Sequence, residues 1–234
     1  VSRGYGRKSP ETTIFVEAEH SAEDVGDEPL LIKHTVPGVH VLVAQSRQEA
    51  VLRLLEAKTV DVILSDDGLQ HYPLYRDFEI LAMDASRGLG NGFLLPVGPL
   101  REPRSRLASV DCVLVRNGVH PTTSFVYVIK GFRSVITGER LSLDAGLAAW
   151  QGAQVVAATG LGQPEQYFEM LKRKGLTFDT LTVADHAVLP MEEIAAGYVP
   201  DVVLITEKDA VKLKGPACDN VWVVEIEAVL PSHL

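Results

Sequence analysis

Short apolar runs alternate with segments of helical periodicity along much of this 234-residue chain. The alternation is clearest in the last third, where we predict strands at 154–158, 179–183, 201–205 and 221–226. Between them, helices are predicted at 165–174 and 191–197, the first with Tyr167, Phe168 and Leu171 on its inner face. Strand–helix–strand units of this kind form parallel sheets covered by helices. The sequence therefore predicts an α/β fold.

A similar unit is predicted nearer the start, and it ends on two carboxylates. A strand at 39–43 and a helix at 46–58 precede an apolar run at 61–65, which we predict as a buried strand parallel to the first. Asp66 and Asp67 follow directly. Ligands of open α/β sheets bind outside the carboxyl ends of strands, and Mg²⁺ takes one or two carboxylates together with substrate phosphates. The pair is a candidate magnesium site, although Asp-Asp-Gly is also an ordinary turn.

A second carboxylate pair precedes a predicted helix. Pro29 is suited to a first helical turn, which makes Asp27 or Glu28 a helix N-terminal residue. Such a carboxylate is usually a cap, and the functional alternative is a general base directed at an alcohol. In addition, the opening segment 1–8 combines glycines with basic side chains that can bind phosphate.

The remaining segments complete the predicted order of elements. Strands are expected at 12–18 and 78–83, and residues 107–115 are expected to lead from a helix end into a strand. Residues 125–129 and 134–136 are predicted as an antiparallel ribbon that turns near Gly131. Between these elements, residues 87–106 form a long loop rich in glycine, proline and arginine, a composition and length typical of functional loops. Thr206 and Asp209 have the spacing of a helix capping box.

Composition excludes several classes of function. The net charge is −9 and there is no long basic run, so nucleic acid is not an expected partner. No apolar run reaches the roughly 18 residues that a membrane span needs. The two cysteines lack the C-x-x-C spacing of metal or redox sites. Because the first residue is Val1 and a motif follows at once, we expect the chain to be part of a longer protein.

Five segments in order resemble one family, tetraacyldisaccharide 4'-kinase, the lipid A kinase of Gram-negative bacteria. Three shorter matches, RDxEI at 76–80, GNG at 90–92 and the DH pair at 185–186, add to the resemblance. The five segments are SRGYGR at 2–7, GDEP at 26–29, DDGLQH at 66–71, LPxGPLREP at 95–103 and TEKDAVKL at 206–213.

The resemblance implies a fold, a reaction and a location. It implies a P-loop-kinase-like parallel sheet lobe and a smaller α/β C-terminal lobe joined by a β-ribbon, which we place at 1–122, 150–234 and 123–149. It implies transfer of the γ-phosphoryl group of ATP, with Mg²⁺, to the 4'-hydroxyl of a tetraacyldisaccharide 1-phosphate, a lipid A precursor. The family is peripheral to the cytoplasmic face of the inner membrane, which it contacts through an N-terminal hydrophobic segment.

The resemblance also assigns roles to residues. Asp27 matches the catalytic base and His186 its partner, while Asp66 and Asp67 match the Walker B-like magnesium ligands. A further set matches other active-site positions. These are Arg101 and Glu102, assigned to catalysis, and Arg3, Tyr5, Gln70, His71 and Asn91, assigned to substrate binding.

One departure from the family pattern matters. The chain contains no G-x-x-x-x-G-K-[ST] sequence, the phosphate-binding loop that the family carries upstream of SRGYGR. We therefore expect this chain alone to bind ATP poorly and to transfer no phosphate, and its nucleotide-binding residues stay unassigned. Two other functions stay open: a non-catalytic nucleotide- or carbohydrate-binding module, and a metal-dependent glycosyltransferase that uses the Asp pair.

Overall fold

The computed structural model describes residues 1–213 and 218–232. Ten strands and seven helices are defined there, with a 3₁₀ helix at Arg104–Ala108. The strands are β1 (Ile14–Val16), β2 (Val41–Val43), β3 (Ile80–Asp84), β4 (Cys112–Arg116), β5 (Ser124–Ser134), β6 (Arg140–Ser142), β7 (Val155–Thr159), β8 (Asp179–Thr182), β9 (Val202–Thr206) and β10 (Val221–Val229). The helices are α1 (Ala22–Val25), α2 (Asp27–Thr35), α3 (Arg47–Ala57), α4 (Leu143–Ala149), α5 (Pro164–Lys172), α6 (Met191–Tyr198) and α7 (Glu207–Ala210).

The α/β class is confirmed, and contacts divide the described chain into two compact units. The first comprises residues 1–67, 129–213 and 218–226, and the second comprises 68–128 and 227–232. These boundaries differ from the predicted lobe boundaries at residues 122 and 149. The division into two lobes and a connecting ribbon stays a prediction. Within the described residues, no helix is long and apolar enough to cross a membrane.

The first unit is built on a largely parallel sheet. Its strand order is β6-β5-β10-β9-β7-β8. The pairs β10–β9, β9–β7 and β7–β8 are parallel. Strands β7 and β9 are buried along their whole length, as expected for strands covered on both faces. Helix α5 buries Tyr167, Phe168 and Leu171 as predicted from their spacing. A small antiparallel pair, β1 with β2, completes this unit.

The predicted strand at 61–65 is wrong. These residues adopt no strand, and Val62 and Leu64 are 74% and 77% exposed. The reason lies in the first two residues, which stand between this segment and β2. Ser2 pairs with Leu42 and Ala44 on one side, while Val1 bonds Leu64 and Asp66 on the other. The expected parallel pair of β2 with 61–65 is therefore not formed.

The predicted turn at Gly131 is also wrong. Residues 124–134 form one continuous strand, β5, and its antiparallel partner β6 begins only at Arg140. Gly131 serves a different purpose there, because a Cβ atom at this position would lie 2.4 Å from the Leu141 carbonyl oxygen. The glycine permits close approach of two strands rather than a reversal of the chain.

The second unit pairs β3, β4 and the start of β5 in parallel. Asp84 and Arg116 are register partners at the carboxyl ends of β3 and β4, and the Arg116 Nε atom lies 2.8 Å from Asp84 Oδ2. Hydrogen bonds from Ser86, followed by those from Arg116, lower the pKa of Asp84 to about 2. This ion pair joins the carboxyl ends of β3 and β4.

The depressed pKa of Asp84 predicts a pH-dependent contribution to stability. Because the folded pKa lies below the unfolded value, the stabilisation is present at neutral pH and is lost as the pH falls from about 4 through about 2. We expect Asp84→Asn to lower the free energy of unfolding by about 1–2 kcal/mol at pH 7, with the difference from wild type shrinking towards pH 3. Urea unfolding over this range measures it, with the exposed Asp179→Asn as control. An equal loss at all pH values would contradict the assignment.

Candidate active site

A buried carboxylate and an imidazole meet in the first unit. Asp27 is the first residue of α2 and only 6% exposed, and its Oδ2 atom lies 2.9 Å from His186 Nδ1. Its other oxygen, Oδ1, accepts a hydrogen bond from the Glu28 backbone at 2.9 Å. An ionised carboxylate can only accept, so in this contact His186 Nδ1 is the donor.

His186 lies in the loop that follows β8 and has an unusual backbone conformation. Its φ angle is +63°, in the left-handed region that non-glycine residues seldom occupy. The side chain is 36% exposed, so one face of the ring remains open to a ligand. The Tyr5 ring lies against it, with centroids 5.5 Å apart. Strained backbone of this kind is concentrated at functional sites.

Lys208 supplies a positive charge beside the pair. Its Nζ atom lies 3.0 Å from Glu28 Oε1 and 3.7 Å from Asp27 Oδ2. Burial lowers the pKa of Lys208, but the hydrogen bond to Glu28 and the charges of Asp27 and Glu28 outweigh it, so the pKa lies above its ordinary value. Lys208 is therefore charged at neutral pH and places a positive charge beside the Asp27 carboxylate.

The opening segment connects this pair to the Asp66 carboxylate. The Ser2 hydroxyl lies 3.2 Å from Asp66 Oδ2, and Tyr5, three residues later, contacts His186. Three residues of chain span at most about 11 Å. Between them Gly4 packs against Gly26, where a Cβ on Gly26 would lie 3.0 Å from the Gly4 backbone. The motif therefore contacts both Asp66 and His186.

The two arginines of this segment differ in their surroundings. Arg7 is 6% exposed, and its guanidinium donates to the carbonyls of Pro10 and Thr12, so it stabilises the loop. Arg3 is exposed and able to meet an anion. Of the two, Arg3 is the better candidate for a substrate contact.

A cavity of about 580 Å³ opens beside the pair. Tyr5, Asp27 and His186 contribute to its lining. The remainder is lined by apolar residues such as Leu30 and Val188 and by charged or polar ones such as Glu19 and Arg133. This cavity lets a polar group approach the carboxylate while apolar atoms contact its walls.

Asp66 and Asp67 are held by a buried arginine. Arg47 is 6% exposed, and its guanidinium donates to the backbone carbonyls of Asp66 at 2.6 Å and Asp67 at 3.0 Å. The two carboxylates take no part in these bonds. Asp67 is exposed and has a φ of +49°. Arg47 thus fixes the backbone of the Asp pair, a role that sequence reasoning missed.

Five predicted site residues belong to the second unit. There Glu102 accepts hydrogen bonds from Tyr72, from Gln70 at 2.8 Å and from Arg106 at 3.2 Å. The bonds from Tyr72 and then Gln70 lower the pKa of Glu102, which keeps it ionised. Arg101 is exposed and borders a cavity of about 270 Å³ together with Gln70 and Glu102.

Asn91 and His71 make mainly local contacts in that unit. The Asn91 amide donates to the Val97 carbonyl at 3.0 Å and accepts from the Phe93 backbone at 3.1 Å, so it shapes the long loop from inside. The His71 backbone closes a turn with Gly68 at 2.9 Å. Their assignment to substrate binding stays a prediction.

Comparison with known proteins identifies the family. The family model described as tetraacyldisaccharide-1-P 4'-kinase matches residues 1–234. The chain belongs to the tetraacyldisaccharide-1-P 4'-kinase family. It is 42% identical over 236 residues to the tetraacyldisaccharide 4'-kinase of Pseudomonas fluorescens, a match that covers 99% of this chain and 68% of the relative. For the same kinase of Actinobacillus succinogenes, the identity is 41% over 232 residues, covering 97% and 69%.

A solved structure of this kinase family has the same fold. A crystal structure of LpxK from Aquifex aeolicus in complex with ATP matches with a TM-score of 0.75 and 27% identity, covering 99% of this chain and 74% of that one. The P-loop-kinase-like fold inferred from sequence is therefore confirmed. The chain spans about two thirds of the length of the curated 4'-kinases.

The TEKDAVKL motif of this 4'-kinase family carries charged residues to which sequence reasoning assigned no catalytic or binding role. It supplies Lys208 beside Asp27, and Asp209 and Lys212, both nearly fully buried. The spacing of Thr206 and Asp209 predicts a helix cap. This is confirmed, because the Thr206 side chain accepts a hydrogen bond from the Asp209 backbone. Asp209 and Lys212 are both buried, and only the folded structure shows this.

Proposed function

We propose that this chain carries the catalytic residues for transfer of the ATP γ-phosphoryl group to the 4'-hydroxyl of a tetraacyldisaccharide 1-phosphate. Membership of the 4'-kinase family supports the reaction, and ATP in the LpxK crystal structure supports the donor. The observation that carries the proposal is the 2.9 Å contact between the buried Asp27 and His186 at the wall of a cavity. A kinase of an alcohol needs such a group to receive the hydroxyl proton.

In this proposal Asp27 is the base and His186 orients it. The Asp27 Oδ2 atom takes the proton of the 4'-hydroxyl while His186 Nδ1 holds that oxygen by a hydrogen bond. Lys208 Nζ lies 3.7 Å from the same oxygen and provides a positive charge beside it. The exposed face of the imidazole and the Tyr5 ring border the cavity where the acceptor sugar would lie. Oriented carboxylates of this kind contribute about 10²- to 10⁴-fold to a rate.

The residues present fit a magnesium ion at Asp66 and Asp67. Two adjacent carboxylates on a backbone fixed by Arg47 offer hard oxygen ligands. Within the described residues no group of three or more His, Cys, Asp or Glu side chains is arranged to hold a metal. Mg²⁺ takes one or two carboxylates and completes its shell with phosphate and water. Bound there, the ion would neutralise charge on the transferred phosphoryl group.

The acceptor implies a location. A disaccharide with four acyl chains partitions into a bilayer, so the kinase must work at a membrane surface. We propose a peripheral position on the cytoplasmic face of the inner membrane, with the contact made by a hydrophobic segment upstream of Val1. The lipid A precursor is then the partner that the cavity beside Asp27 receives.

The test compares this chain with a version extended upstream to include a phosphate-binding loop. Because the chain has no G-x-x-x-x-G-K-[ST] sequence, we expect the extended protein to phosphorylate tetraacyldisaccharide 1-phosphate from ATP and Mg²⁺, and the chain alone to give no product above background. Thin-layer separation of ³²P-labelled lipid measures it, with EDTA as the metal control. Equal activity of the two proteins would refute the need for the loop, and no product from either would refute the proposed reaction.

A further inference from the structure

We propose that Asp209 is a positioning residue that holds His186 in the conformation that reaches Asp27. The inference rests on the role proposed above for the Asp27–His186 pair. Asp209 itself does not line the cavity and is 1% exposed, so it acts through other groups.

The Asp209 carboxylate is fully occupied by donors. Its Oδ2 atom accepts from the Thr159 hydroxyl at 2.8 Å and from the Thr206 hydroxyl at 2.7 Å. Its Oδ1 atom accepts from the Gly160 backbone at 3.1 Å and from Lys212 Nζ at 3.0 Å. Two bonds on each oxygen satisfy a buried carboxylate and fix its orientation. The side chain thus ties the ends of β7 and β9 to a buried lysine.

Both partners of Asp209 Oδ1 lead to the His186 loop. The Gly160 carbonyl accepts a hydrogen bond from the His186 backbone at 3.3 Å. Lys212 Nζ donates to the carbonyl of Ala187, the next residue, at 3.1 Å. One carboxylate oxygen therefore restrains the main chain on both sides of the His186 carbonyl. The loops are also in close contact, because a Cβ on Gly160 would lie 3.1 Å from the Ala187 carbonyl oxygen.

The backbone of His186 needs this restraint. A φ of +63° is unfavourable in a non-glycine residue, so the loop would relax if its neighbours allowed it. Relaxation would move the imidazole, which is in contact with Asp27 through a single hydrogen bond. Shifts of about 1 Å in a catalytic group are enough to lower a rate greatly. Holding the His186 loop in place therefore also holds the geometry of the Asp27–His186 pair.

The experiment uses the full-length kinase and four proteins: wild type, Asp209→Asn, His186→Ala and the double variant. The amide of Asn keeps the Gly160 contact but leaves Lys212 without its counter-ion. We expect Asp209→Asn to lower kcat about tenfold with KM for ATP within twofold of wild type. In the His186→Ala background the same change should alter kcat by less than about twofold, because the group it positions is gone.

A second variant makes the test independent of the folding of Asp209→Asn. Lys212→Met removes the donor to the Ala187 carbonyl, and it should show the same loss and the same dependence on His186. Lys172→Met, which removes an exposed ion pair on α5, is the matched control and should leave kcat unchanged. Thermal melting checks that each variant is folded.

The outcomes separate this inference from the proposed function. If His186→Ala has wild-type kcat, the proposed role of the pair is wrong and this inference falls with it. If His186→Ala is slow but the Asp209 and Lys212 substitutions reduce kcat equally in both backgrounds, or not at all, the pair stands and the positioning role is overturned. Loss confined to the background that retains His186 supports it.

Discussion

Asp27→Asn should lower kcat of the full-length kinase by about 10²- to 10⁴-fold while the dissociation constant for ATP stays within about twofold. Asn has the shape of Asp27 and can still accept a hydrogen bond from His186, but it cannot take a proton. The carboxylate is 6% exposed and lies against His186 and Lys208. Single-turnover transfer to tetraacyldisaccharide 1-phosphate measures the loss, and equilibrium ATP binding provides the comparison.

Glu28→Gln is the matched control for that experiment. Glu28 is the next residue, is exposed and shares Lys208 with Asp27, but its side chain does not contact His186 in the described structure. We expect less than about a tenfold effect from it, because it changes only the charge near Lys208. Equal losses for the two substitutions would mean that charge near α2, rather than proton transfer at Asp27, limits the rate.

Phe132→Ala should give the largest loss of stability, about 3–5 kcal/mol in the free energy of unfolding of the first unit. Phe132 is fully buried on β5, and its ring centroid lies 4.6 Å from that of Trp150. Gly146 leaves space for the ring, since a Cβ there would lie 2.5 Å from it. The cavity left by this substitution cannot close easily, because the ring packs directly against the backbone of α4 at Gly146.

Urea unfolding followed by tryptophan fluorescence measures this loss. The chain has two tryptophans, Trp150 and Trp222, and their rings are 5.6 Å apart beside Phe132, so the signal reports on this core. Leu52→Ala on α3 is the control, because Leu52 is 65% exposed and its removal should cost less than about 0.5 kcal/mol. A loss below about 1.5 kcal/mol for Phe132→Ala would show that the core repacks.

The fold was predictable where apolar periodicity and burial coincide. Helix α5 and strands β7 and β9 follow their patterns because each buries the side chains that define it. The run at 61–65 has a strand pattern, but in the described structure Val1 rather than β2 bonds to its backbone, and local sequence cannot show which segment lies beside it. The same limit explains Gly131, whose purpose depends on a carbonyl ten residues away.

The site was predictable only through motifs. Asp27 and His186 are 159 residues apart, and no local pattern joins them, so their pairing came from the family resemblance and is now seen as a contact. Lys208, Asp209 and Lys212 were inside a matched motif but had no assigned role, because an acid three residues after a threonine reads as a cap. Burial by the surrounding sheet is what distinguishes Asp209 from an ordinary capping residue.

The central claim is that Asp27 and His186 act as one unit on the acceptor hydroxyl, and a double-mutant cycle on single-turnover phosphoryl transfer tests it most directly. Groups that act together lose most of their effect at the first substitution. We predict that the full-length kinase with both Asp27→Asn and His186→Ala transfers phosphate within about threefold of the rate of Asp27→Asn alone. A double variant slower by the full product of the two single losses would show that the residues act independently, which would contradict the account.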